Sequence, residues 1–473
     1  MAELLKRQYD LVVFKVTLDT AADEPQIRCE VEVKIGGEPK SVAHWEYGAA
    51  EMGLPDRIDR CRSRYRGYDF AIPSHVTTSL KDWLERESTP DIPLWLHLVK
   101  PYGYLGMVPW ERLLQPVLNV PMLRLPDFVV QPPRETPTAL DVLLCSSGPA
   151  AKEQFRIVDH LVTLAKQLRD AVPRRTTFHV FTDAAIHHQV RQVFDHHGML
   201  DSAVVIYPPE SAARYAVPEE ETNVPEQADS VANPWLLWMR DSLKGRSVDV
   251  AHFVCHGYLS QDRGALAFAE SPLLKQDTRM ARFVGASELK AFLTQVGAWS
   301  SVFSSPEHNY SEMGLRQLAD ALAQVRPGPM VHHELELDPQ ATALAGAYRL
   351  LFSRKPERPP VSPALFIYCQ PFRVLSAADD ADRLPGSPTA NVRRSQELDA
   401  IYESAENVPA WVAASERYLE ECELKLQKQQ PESGAASTDP TRQRTVETLE
   451  STLQQIRDVV ARVARSTPSG RPE

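Results

Sequence analysis

The chain reads as an α/β protein: a mostly parallel sheet flanked by helices, with a strand-rich lead-in before it and an α-helical hairpin after it. Three observations carry that reading. Strand-like and helix-like segments alternate from Thr138 to Cys369, the order that lays crossover helices over parallel strands. Period-2 apolar runs lie near the N-terminus, and apolar residues at alternating steps of three and four occupy the end. A length of 473 residues exceeds one ordinary core, so three regions are expected: 1–90, 91–375 and 376–473.

In the lead-in, Leu11 to Val16 and Cys29 to Ile35 alternate as strands, and Gly36-Gly37 closes the second. Leu94 to Val99 is a short apolar strand ending at Lys100-Pro101, followed by Leu105 to Glu111. A proline-rich loop, Gln131 to Pro137, opens the central part. There the strands are expected at Leu140 to Cys145, Thr177 to Phe181, Val248 to Cys255, Ser300 to Phe303, Pro329 to Val331 and Leu365 to Cys369. Helical spacing predicts Glu153 to Arg169, Ala184 to His197, Ala286 to Val296 and Glu312 to Val325. Asp338-Pro339, an acid at the N-cap and proline at the first position, predicts a helix running to Phe352. Pro208 to Asn233 has no periodicity and reads as a surface loop, a flap or a cleavable linker.

Beyond Leu375, Val446, Leu449, Leu453, Ile456, Val460 and Val463 make one stripe, and Val412, Leu419, Cys422 and Leu426 another. The polar segment Gln429 to Asp439 lets the two helices turn back on each other. The hairpin packs on itself or offers an oligomer or partner contact.

Composition narrows the function. A net charge of −11 argues against the broad basic surface of a nucleic-acid binder, and neither GxxxxGK[ST] nor a strand-linked GxGxxG occurs. No apolar run reaches the roughly 18 residues of a membrane span. The polar start Met1 to Arg7 is no secretory signal, so a cytoplasmic protein is expected. Six scattered cysteines without a CxxC pair fit a reducing compartment and no structural zinc. No cofactor or metal is expected. His187-His188 and His196-His197 diverge by about 100° within each pair on a helix, so they lack the i, i+4 geometry of a metal site. Those pairs and His332-His333-Glu334 read as solvated or packing residues.

The most informative stretch is Val248 to Val254 followed by Cys255-His256-Gly257, a buried strand that delivers a histidine to a glycine turn. With Tyr104 to Glu111, Leu266-Ala267-Phe268, Gly314 to Val331 and Asp338 to Phe352, in that order, it resembles the bacterial CHAT domain, a relative of caspases and separase. The resemblance spans roughly 90–370 and implies a caspase-like cysteine-peptidase sheet. It also implies that His256 stands at the general-base position. The nucleophile should follow the strand Ser301 to Ser305, which puts Pro306 where a cysteine belongs, 50 residues after His256. Proline offers neither a nucleophile nor an N–H.

Ser304 and Ser305 are the substitutes within reach in sequence, although a hydroxyl is a poorer nucleophile than a thiolate and needs an adjacent base. Cys255 cannot pair with His256 if one strand runs through both, because neighbours alternate faces. Cys145 is a more distant substitute, and both cysteines read as packing residues. Two functions follow. One is a pseudo-peptidase that binds another protein, such as a co-encoded component of a bacterial conflict system, a setting the resemblance implies. The other is an active peptidase effector using His256 with a displaced nucleophile, Ser304 or Ser305.

Overall fold

The computed structural model describes residues 11–371 and 374, apart from 20–23, 36–37, 55–68, 88–91, 100–104, 127–138, 149–156, 201, 216–230, 261–262, 274–280, 307–308, 354–356 and 372–373. The loop Gln131 to Pro137, most of the Pro208 to Asn233 segment and the C-terminal region 376–473 lie outside the described residues. So do Cys61 and Cys422.

An α/β architecture is present, with one long and largely parallel mixed sheet flanked by helices. The lead-in supplies β1 (Val12–Asp19), β2 (Gln26–Ile35) and β3 (Glu38–Gly48), an antiparallel meander. Helix α1 (Ser74–Glu87) leads to β4 (Leu94–Leu98), α2 (Trp110–Leu118) and β5 (Met122–Arg124). β1 pairs with β4 in parallel, so hydrogen bonding runs unbroken from the lead-in into the central sheet.

The central part is β6 (Ala139–Ser147), α3 (Ile157–Ala171), β7 (Arg175–Thr182), α4 (His187–His196), β8 (Val204–Ile206) and α5 (Pro234–Ser242). It continues with β9 (Val250–Ser260), β10 (Arg263–Ala269), β11 (Ala281–Gly285), α6 (Ala286–Gln295), β12 (Ser300–Ser305) and α7 (Asn309–Ala323). β13 (Met330–Glu334), α8 (Thr342–Phe352) and β14 (Leu365–Tyr368) close it. The strand order is β3-β2-β1-β4-β5-β14-β13-β12-β9-β6-β7-β8, with β10 and β11 branching from the far half of β9. β6, β7, β9, β12 and β13 are mutually parallel where they adjoin, and β14 runs against β13.

Each expected central strand is present. β6, β9 and β12 bury residues on both faces, which is why they read as continuous apolar runs and not as alternations. One face carries Val142, Val250, Val302 and Val331 against Leu161, Leu344 and Leu351 of α3 and α8. The other carries Phe253 and Phe303, stacked at 6.0 Å, against Trp235, Phe292 and Leu315 of α5, α6 and α7. A third core lies under β1 to β4, where Phe14 and Val16 meet Val76 and Leu80 of α1 and Trp110 of α2.

Two expectations change. His256-Gly257 does not end its strand: β9 runs on to Ser260 and pairs antiparallel with β10, so the imidazole belongs to a strand and not to a turn. The helix placed at Asp338 starts instead at Thr342, after Ala341 at φ 54°. Asp338 still caps it from four residues upstream, accepting from the N–H groups of Thr342, Ala343 and Leu344.

Glycine sets the distance between α7 and the β9–β10 hairpin. A Cβ on Gly264 would stand 2.0 Å from the Gly314 carbonyl and 2.4 Å from the Leu318 nitrogen, both backbone. Gly264→Ala is therefore expected to destabilise the chain by about 1–3 kcal/mol, as in other overpacked cores, read as a lower urea midpoint at unchanged m-value.

Candidate functional site

The site lies where β12 and β13 reach their C-terminal ends beside the middle of β9, the edge at which open parallel sheets bind ligands. β12 pairs with β9 so that Ser304 faces Val254. Continuing that register by two residues sets Pro306, buried directly after β12, beside His256. His256 is half-buried and pairs with Ala267 of β10. The next N–H, that of Gly257, is already used: it donates to the Ser311 hydroxyl of α7 at 2.6 Å. A Cβ on Gly257 would lie 2.1 Å from the Ser311 carbonyl oxygen, so only glycine permits this approach.

Alternation separates the two serines. Ser305 points to the Phe303 face, donates to the His333 carbonyl at 3.4 Å, and does not share a face with His256. Ser304 shares the His256 face, but its hydroxyl is bound to two other imidazoles. It lies 2.8 Å from His252 Nε2 and 3.1 Å from His333 Nδ1. His333 Nε2 reaches the Asp338 carboxylate at 3.2 Å, and His252 Nδ1 reaches the Tyr348 hydroxyl at 3.1 Å.

The Asp338 carboxylate only accepts, so His333 Nε2–H donates to it. Ser304 has one hydroxyl proton between two imidazole nitrogens, so it donates to one of them and accepts from the other. Ser304, His252, His333 and Tyr348 are all fully buried. Burial, helped by the neighbouring His333, drops the His252 imidazole to about 3, so it is neutral. Burial works against the Asp338 carboxylate, but its bonds from His333 and from the α8 N–H groups outweigh that and hold it below its usual value.

Of the two states expected for His332, His333 and Glu334, solvated or packing, they take the second: each is buried, because β13 is covered on both sides. His332 stacks on Phe366 at 5.0 Å, and burial with the nearby Arg316 keeps it neutral. His188, His196 and His197 are exposed on α4 as expected. Cys145 and Cys255 both fill the core on the Phe253 face, and burial next to the Cys255 thiol pushes the Cys145 thiol well up, the state of an inert packing residue. Cys255 and His256 take opposite faces of β9, as alternation requires.

His252, His333 and Asp338 carry roles that sequence reasoning missed. Their signal was polarity inside buried strands, since a histidine in an otherwise apolar strand needs partners. Among the described residues, no group of three or more His, Cys, Asp or Glu side chains can hold a metal ion, and no helix is long and apolar enough to cross a membrane. No family model, curated protein or solved structure matches the chain.

Two outcomes follow. Ser304→Ala removes the central link of the string and is expected to cost about 1–3 kcal/mol in urea unfolding. Because folded His252 binds a proton only near pH 3 while unfolded histidine does so near 6.5, acid favours the unfolded chain. Wild-type stability relative to His252→Gln should therefore be level above pH 7. It should fall between pH 6.5 and 3 by up to ~1.4 kcal/mol per pH unit.

Proposed function

We propose that this chain is a CHAT-like pseudo-peptidase, a caspase-type sheet without a working nucleophile. It acts in the cytoplasm as the protein-binding or regulatory component of a bacterial conflict system. The observation that carries the reading is the register of β12 on β9, Ser304 opposite Val254, which brings Pro306 level with His256 if it is continued two residues past its last pair. Three further features support it. The order β7-β6-β9-β12-β13-β14, with only the last strand reversed, is compatible with a caspase-type sheet. The Gly257 N–H, a donor beside His256, is taken by Ser311. Ser305 faces away from the imidazole. A half-buried histidine at the sheet's carboxyl edge then serves recognition and not proton transfer.

One observation favours a second reading, an active hydrolase: Ser304, His333 and Asp338 are bonded in the order of a nucleophile, a base and its orienting acid. Ser304 is fully buried, so that chemistry requires the C-terminal edge to open.

Incubation of the full chain with co-encoded proteins and with a thiol-directed peptidyl electrophile separates these readings. Wild type should neither cleave nor be labelled, whereas Pro306→Cys should gain labelling that His256→Ala abolishes. Cleavage by wild type that depends on His256 overturns the proposal. Fluorophosphonate labelling of Ser304 that His333→Ala abolishes supports the hydrolase instead.

A further inference from the structure

Away from the histidines, a second polar cluster is buried where α2 meets α7. Arg124, at the end of β5, makes a bidentate pair with Glu111 of α2, Nε to Oε1 at 2.7 Å and Nη2 to Oε2 at 2.9 Å. Its Nη1 donates to Asp320 Oδ1 of α7 at 2.8 Å, and the Tyr368 hydroxyl of β14 donates to the same oxygen. One helical turn away, Arg316 Nη1 binds Glu334 Oε1 of β13 at 2.7 Å and lies 3.7 Å from Glu312 Oε2. Arg316 Nε donates to the Met107 carbonyl. At the rim, the half-exposed Arg112 of α2 stands 3.6 Å from Glu334 and 4.0 Å from Glu312.

The charges do not balance. Glu111, Glu312, Asp320 and Glu334 are all buried carboxyls, against two buried guanidiniums and one at the rim. His332, which faces the same groups from β13, is neutral and adds no positive charge. Asp320 Oδ2 is buried without a hydrogen-bond donor, turned toward Gly106, where a Cβ would stand 2.0 Å from it. Glu334 Oε2 likewise has only the rim ion pair. A buried excess of carboxylate is costly, and one proton removes it.

We infer that this cluster holds a bound proton near neutral pH and acts as a pH-sensitive clasp between α2 and α7. The electrostatics agree: burial, against the pull of Arg124, lifts Asp320 to about 6, and burial, against Arg316 and with Glu312, lifts Glu334 to about 7. Both carboxyls are raised above their unfolded values of about 4, so the stabilisation is complete below about pH 4, falls as pH rises, and is fully lost once pH passes 6–7. Ser311, which holds the Gly257 N–H, sits one residue before Glu312, so the clasp steadies the wall of the His256 site. This inference does not depend on whether the site is catalytic.

Urea unfolding of the full chain between about pH 4.5 and 8.5, on wild type, Asp320→Asn and Glu334→Gln, tests it. The wild-type folding constant relative to an amide variant should fall by up to tenfold per pH unit as pH rises from about 4.5 to 7, and level off above that. Infrared spectra should show a protonated-carboxyl band at pH 6 that weakens by pH 8.5 and in a variant. Amide exchange in α2, corrected for its intrinsic rate, should be faster at pH 8.5. Equal slopes in wild type and variants, a band that is absent or survives both substitutions, or unchanged α2 protection overturns the proposal. If Asp320→Asn does not fold, Glu334→Gln and the wild-type band decide.

Discussion

The pairing of β12 with β9 is the constraint on which the rest of the molecule turns. One alignment, Ser304 opposite Val254, decides which side chains share a face at the sheet's carboxyl edge. It hands the Ser304 hydroxyl to His252 and His333, and its continuation past the last pair brings a proline level with His256. A slip of one residue would reverse each of those assignments, because side chains on a strand alternate with a period of two. The apolar partners prevent the slip: Val302 and Phe303 fill different cores on the two sides of the sheet.

Around that constraint, the interior manages its polar groups in two ways. The Ser304 string ends on one carboxylate held at the start of α8, and the ring nitrogens of His252 and His333 and the Ser304 hydroxyl all have partners, so burial is tolerated. The Arg124 cluster is ionic and acid-rich, and it joins elements far apart in the chain, residues 111, 124 and 320 among them. The first ties three neighbouring strands to the helix that covers them. The second ties the lead-in's neighbour α2 to the helix that packs on the histidine strand. They take opposite faces of β13, His333 belonging to the first and its neighbour Glu334 to the second.

Much of the architecture was legible in the sequence, because buried parallel strands are short apolar runs and their crossover helices show clear apolar spacing. β6, β7, β9, β12, β13 and β14 fall where those runs lie. Weakly patterned elements were not legible. β3, with Lys40, Ser41, His44 and Glu46, is polar enough to pass for a loop, and β5 is only three residues long. The end of β9 is not legible, since glycine ordinarily marks a turn, whereas Gly257 is needed for the close approach of α7. Of the candidate site, His256, Ser304 and Ser305 could be named from motif and spacing. The partners of Ser304 could not, because they depend on which strand lies beside which. Asp338 was visible as a helix cap, and its second role, orienting His333, arises only in three dimensions.

The register claim can be measured directly by disulfide trapping in the full chain carrying both His256→Cys and Pro306→Cys. Side-by-side positions on adjacent strands lie within the reach of a disulfide, and positions displaced along the strands do not. Mild oxidation is expected to join the two thiols in a folded chain, leaving its circular dichroism unchanged. Free thiols under the same conditions, in a chain that is equally well folded, would contradict it.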